Sequence, residues 1–85
     1  MKLFEIPKFQ KLRKKLKDEA EKGALRDAVI GILENPEIGK KLKGEFRDLR
    51  SFRYSVRGQA RRLIYRHEKD SIVLFSFGPR QGIYK

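Results

Sequence analysis

The hydrophobic spacing of this chain changes once, and that change dictates what it can fold into. Through the first 35 residues apolar side chains recur every three or four positions, and from Gly44 onward the period becomes two. The first spacing lines one stripe of a helix, and the second lines one face of a strand. A helical half followed by strands predicts an α+β fold, with the helices packed on one face of a small twisted sheet.

Leu3, Phe4 and Ile6 read as a short strand ended by Pro7, a residue that also suits the first turn of a helix. Phe9, Leu12, Leu16 and Ala20 then share one stripe, and Gly23 is the predicted stop. A second helix is predicted from about Ala24, with Leu25, Ala28, Val29, Ile32 and Leu33 on one face. It ends at Asn35-Pro36, because the residue before a proline disfavours helix. So short a break makes the two helices an antiparallel hairpin. A three-strand antiparallel meander should follow. In its first strand Phe52, Tyr54 and Val56 alternate with Arg53, Ser55 and Arg57. After a turn at Gly58-Gln59-Ala60 comes Arg61 to Arg66. A second turn, Glu68-Lys69-Asp70-Ser71, leads to the apolar run Ile72 to Phe77, which is expected to be the central strand.

At 85 residues the chain has room for one domain, spanning residues 1–85, and one modest core. It has no cysteine and one histidine, so packing must hold the fold, and neither a metal nor another cofactor is called for. It contains no long apolar run and no leader pattern, so a cytoplasmic chain without a membrane span is expected.

Charge gives the first indication of function. Of a net charge of +11, residues 40–66 carry +8, with Glu45 and Asp48 the only acids among ten cations. Between Leu49 and His67 the cations are all arginine (Arg50, Arg53, Arg57, Arg61, Arg62 and Arg66), with no acid among them. Arginine presents a planar fork of donors that matches paired phosphate oxygens, whereas lysine offers a hydrated point charge. A generally lysine-rich surface explains the helix lysines but not this change to arginine. The stretch is therefore a candidate phosphate cradle. Strand alternation divides it: Arg53, Ser55 and Arg57 share one face, Arg62 and Arg66 share another, and Arg61 lies opposite them. Lys41, Lys43, Ser55, Arg57, Arg61 and Arg66 are candidate RNA contacts around a preferred pair, Arg53 and Arg62. Past the last strand, Gly78-Pro79-Arg80 and Ile83-Tyr84 place an arginine and a tyrosine four residues apart.

The succession Gly39-Lys40-Lys41-Leu42-Lys43-Gly44, Phe52-Arg53-Tyr54-Ser55-Val56-Arg57, Arg61-Arg62-Leu63-Ile64-Tyr65-Arg66 and Gly78-Pro79-Arg80 with Ile83-Tyr84 resembles the RelE/ParE superfamily of type II toxin–antitoxin toxins, with the RelE-like branch favoured. That branch implies a metal-independent, ribosome-dependent endoribonuclease. In it the message's own 2′-hydroxyl attacks the adjacent phosphate, translation is inhibited, and a cognate antitoxin that folds over the basic groove silences the toxin. By position the resemblance implies that Arg62 contacts the scissile phosphate, that Arg80 stabilises charge or protonates the leaving oxygen, and that Tyr84 stacks on a base. These three and Arg53 form the implied catalytic set. Arg53 and Ser55 stand where the best-known members carry two lysines, one of them the proposed general base. Serine takes no proton near neutral pH without a base beside it, and arginine stays protonated. Two other readings remain open: a ParE-like inhibitor of DNA gyrase that cuts nothing, and a non-catalytic RNA-binding module or inactivated toxin.

Overall fold

The computed structural model describes residues 1–79. The chain runs β1 (Lys2–Glu5), α1 (Pro7–Lys15), α2 (Glu19–Glu34), β2 (Lys40–Lys41), a 3₁₀ turn (Gly44–Phe46), β3 (Arg50–Val56), β4 (Gln59–Glu68) and β5 (Ser71–Gly78). The expected meander β3-β4-β5 is present within a five-stranded sheet of order β1-β5-β4-β3-β2. β1 pairs parallel with β5, and the helices carry the chain across one face to β2 on the opposite edge, α1 packing on β5 and α2 on β3. The apolar β5 is an interior strand, flanked by β1 and β4, but the centre belongs to β4.

The helix break differs from expectation. α1 ends at Lys15, Leu16 is extended, and α2 starts at Glu19 and runs through Gly23. Asp18 is the reason, because its carboxylate accepts from the Ala20 N–H at 2.9 Å and caps the second helix. Glu19 and Glu21 add negative charge to the same positive helix end. Ala20, counted above among the apolar stripe, is accordingly exposed. The β3–β4 turn is also tighter than predicted. It is a two-residue turn, Arg57-Gly58, closed by Val56 opposite Gln59. Both turn residues have positive φ (52° and 80°), the geometry that suits a strand pair's twist.

The core lies between the helices and one sheet face. Phe9, Leu25, Ala28 and Ile32 from the helices meet Leu63 and Tyr65 of β4 and Ile72 and Leu74 of β5. Phe9 also packs edge-on to Phe77, with ring centres 5.1 Å apart. Burying each of the larger side chains stabilises the fold by roughly 1.5–3 kcal/mol. Among them Tyr65 has a second role. Its hydroxyl accepts from the Gly39 N–H at 2.9 Å and donates to the Pro36 carbonyl at 2.7 Å. A Cβ on Gly39 would lie 2.5 Å from that hydroxyl, so only glycine admits the contact. Arg50, opposite Tyr65, donates to the Gly39 carbonyl at 2.9 Å and to the Glu37 carbonyl at 3.2 Å. Tyr65→Phe should therefore lower unfolding free energy by about 1–3 kcal/mol in urea titration with an unchanged m value, since it leaves a buried N–H and carbonyl unpaired. A loss below about 0.5 kcal/mol would show that the bonds do not hold this loop.

Candidate nucleic-acid interface

Opposite the helices, the other sheet face carries the odd residues of β3 and the even residues of the first part of β4. Register places Arg53 directly across from Arg62, Ser55 across from Ala60, and Ser51 across from Ile64, with Gly78 of β5 on the far side of Arg62. Arg53 is exposed, and Arg62 is half-buried, donating to the Ser51 hydroxyl at 3.4 Å. Neither has a carboxylate partner among the described residues.

The remaining arginines of the stretch are committed elsewhere. Arg50 serves the loop carbonyls described above. Arg57 is not on the strand's cationic face, because it occupies the turn. There its guanidinium pairs with Asp18 through both nitrogens, Nη2 to Oδ1 at 2.9 Å and Nη1 to Oδ2. Arg61 points to the helix side, with Nη2 3.4 Å from Glu21 Oε1. Arg66 shares the open face, but its Nε lies 2.8 Å from Glu68 Oε2 and its guanidinium sits over the Phe75 ring at 5.4 Å. The acids that neutralise Arg57 and Arg61 come from the start of α2, about forty residues away in sequence, which is why an acid-free segment is not an unpaired one.

Alternation also corrects the lysine. Lys41 pairs with Arg50 and so belongs to the helix-side set, whereas Lys40 pairs with Ser51 and joins the Arg53–Arg62 face. Lys43 is exposed in the loop before the 3₁₀ turn. Ser55 is exposed beside Arg53. Tyr54 faces the helix side, where burial pushes its hydroxyl up to about 12, so it cannot take a proton from a ligand on the open face. Arg80 and Tyr84 lie outside the described residues.

This arrangement opposes two arginines across one strand pair with no neutralising acid among the described residues, an arrangement that can receive a phosphate. The chain matches the family described as ParE-like toxin of type II bacterial toxin–antitoxin systems over residues 3–85, and it belongs to that family. Its fold is that of the Escherichia coli toxin RelE. The isolated RelE structure superposes with a TM-score of 0.73 at 24% identity, covering 98% of this chain and 89% of RelE. The intact E. coli RelBE toxin–antitoxin complex gives 0.73 at 20% identity, covering 94% and 96%. A copper-bound mutant toxin from Helicobacter pylori gives 0.59 at 22% identity, covering 94% of each chain. Comparison with curated protein sequences gives no significant match. Among the described residues no helix is long and apolar enough to cross a membrane.

Two predictions follow from the charges. Like charges directly across a strand pair repel. Arg53→Gln should therefore raise stability at low ionic strength by on the order of 0.2–1 kcal/mol, an effect that fades in molar salt. An unchanged or lower urea midpoint at low salt would show that the pair is not in repulsion. Hydrogen bonding from Arg57, then from the Ala20 N–H, lowers the Asp18 carboxyl from 3.8 to about 2. A carboxylate depressed on folding stabilises above its unfolded pKa, and that contribution is lost as pH falls from about 4 toward 2. Asp18→Asn keeps the helix cap but lacks this term. The gap in melting temperature between wild type and variant should close over that pH window, and a constant gap would refute the assignment.

Proposed function

We propose that this toxin is a ribosome-dependent endoribonuclease that cuts translated mRNA. The carrying observation is the Arg53–Arg62 pair, opposed in register on the open sheet face with no acidic partner among the described residues. Arg80, which follows Gly78-Pro79 in sequence, is proposed to join the pair by the resemblance. Tyr84 completes the proposed set by holding a base.

On this reading the two guanidinium groups bind the non-bridging oxygens of the scissile phosphate. The 2′-hydroxyl of the preceding ribose attacks phosphorus and gives its proton to solvent, the P–O5′ bond breaks, the leaving O5′ takes a proton from solvent, and a 2′,3′-cyclic phosphate remains. Negative charge grows on the phosphate oxygens during this step, where fixed guanidinium groups lower the barrier without reorganising. No side chain among the described residues of this face is a ready base. Ser55 has none beside it, Tyr54 faces the helices, and Lys40 carries an ammonium at neutral pH. Rate therefore comes from in-line positioning and charge stabilisation, and the enzyme is slow on free RNA.

A cognate antitoxin is the proposed partner. Between the helices lies an apolar groove of about 560 Å³, lined by Phe9, Leu25 and Val29 and bordered by Lys14, Lys22 and Arg26, with Arg13 paired to Glu5 at its edge. It suits an amphipathic acidic segment. The family's ParE-like description favours one second reading, inhibition of DNA gyrase without nuclease activity.

Primer extension on translated message separates the two. Wild-type protein should produce discrete cuts, and Arg62→Ala should reduce them at least a hundredfold while remaining folded. Equal cutting by both, or cutting by neither accompanied by lost gyrase supercoiling, would overturn the nuclease reading.

A further inference from the structure

The sheet edge next to the arginine pair carries a third cation on the same face. Lys40 of β2 stands across from Ser51 of β3, two residues along that strand from Arg53. Strand geometry puts its backbone about 8 Å from that of Arg53. Ser51 lies in the middle of the group, with Lys40 beside it, Arg53 further along its own strand and Arg62 diagonally across on β4. It is small and 5% exposed, and its hydroxyl accepts from Arg62 Nη1 at 3.4 Å, which turns that guanidinium toward the Lys40 side.

An exposed lysine is ordinarily a solvated charge. Two observations set Lys40 apart. Its backbone is fixed, because the preceding Gly39 is held at both polar groups. The Gly39 N–H donates to the Tyr65 hydroxyl and its carbonyl accepts from Arg50, each at 2.9 Å, and Lys40 itself enters the ladder with β3. Its charge is also uncompensated. Among the described residues no carboxylate pairs with Lys40, Arg53 or Arg62, although acids meet Arg57, Arg61 and Arg66 on the strands around them.

We infer that Lys40 is a second phosphate subsite, binding the phosphate next to the one held by Arg53 and Arg62. The inference rests on the phosphate-binding reading above and adds to it the course of the RNA strand, from β4 over β3 to the β2 edge. The two kinds of cation divide the work. A guanidinium pair fixes the orientation of the phosphate that reacts. Its neighbour needs only to be kept in place, and an ammonium point charge on a flexible stem does that. The step from Arg53 to Lys40 lies within the span of one nucleotide. Gripping two successive phosphates limits rotation of the sugar–phosphate backbone between them, which favours in-line attack.

The test is the salt dependence of binding, followed by amide NMR titration of the full chain. The probes are 2′-O-methyl oligomers without terminal phosphates: a dinucleotide with one phosphate and a trinucleotide with two. Each phosphate neutralised should contribute about −0.7 to the slope of log affinity against log salt. Lys40→Gln should therefore bring the trinucleotide slope from about −1.4 to about −0.7 and leave the dinucleotide at about −0.7. Lys41→Gln, one residue away but on the helix side, should change neither slope, and Arg62→Gln should weaken both oligomers. An unchanged trinucleotide slope in Lys40→Gln, or an equal loss in Lys41→Gln, overturns the subsite, and the phosphate reading stands if Arg62→Gln still weakens both. Failure of Arg62→Gln to weaken either oligomer, or no binding by wild type, overturns both.

Discussion

One buried hydroxyl, that of Tyr65, fixes which side of the middle strand is core and which is open. Side chains of a strand alternate, so a slip of one residue in β4 would bury Arg62 and expose Leu63 and Tyr65. Apolar burial disfavours that slip, and the Tyr65 hydroxyl adds a directional constraint by meeting both the Gly39 N–H and the Pro36 carbonyl. Arg50, one strand over, bonds the carbonyls of the same loop. The return from α2 into β2 is therefore tied to the centre of the sheet. With that register set, Leu63 faces the helices, Arg62 and Ile64 face the opposite side, and the arginine row follows.

The same register leaves two like charges opposed on β3 and β4, while the protein neutralises the arginines around them. Asp18 serves both as the cap of α2 and as the partner of Arg57, and Glu21 meets Arg61 one helical turn later. Glu68 holds Arg66 at the end of its own strand. A surface intended only to be basic would gain nothing from pairing some arginines and sparing two. Selective neutralisation narrows a diffuse positive field to one place where a phosphate relieves repulsion instead of merely finding attraction.

What could be read from the residues was whatever depends on near neighbours. Period two in β3 separates Phe52 and Tyr54 from Arg53 and Ser55 with no knowledge of the sheet, and Arg53 with Arg62 emerges from that alternation. What could not be read depends on partners far away. Gly23 looked like a helix stop because glycine is a poor helix former, yet Asp18 claims the boundary five residues earlier and packing carries the helix through Gly23. Arg57 continued the alternation on paper, but a turn needing positive φ takes it out of the strand. Lys41 and Lys40 are equivalent in sequence, and only pairing with β3 shows which shares the Arg53 face. The bulge at Phe75 is a property of two strands together and has no local signature.

The absence of a ready base among the described residues of the open face changes what the arginine pair would have to do. Where a general base draws the proton, a nucleotide held loosely at its phosphate can still react each time the hydroxyl meets that base. Where rate rests on geometry, a phosphate held by two guanidinium groups still leaves the ribose free to rotate about the backbone, and most orientations are not in line. On the proposed reading, only a further contact beyond the phosphate removes that freedom, so a chain with serine at position 55 would depend more on how rigidly its substrate is held than a relative with a lysine there.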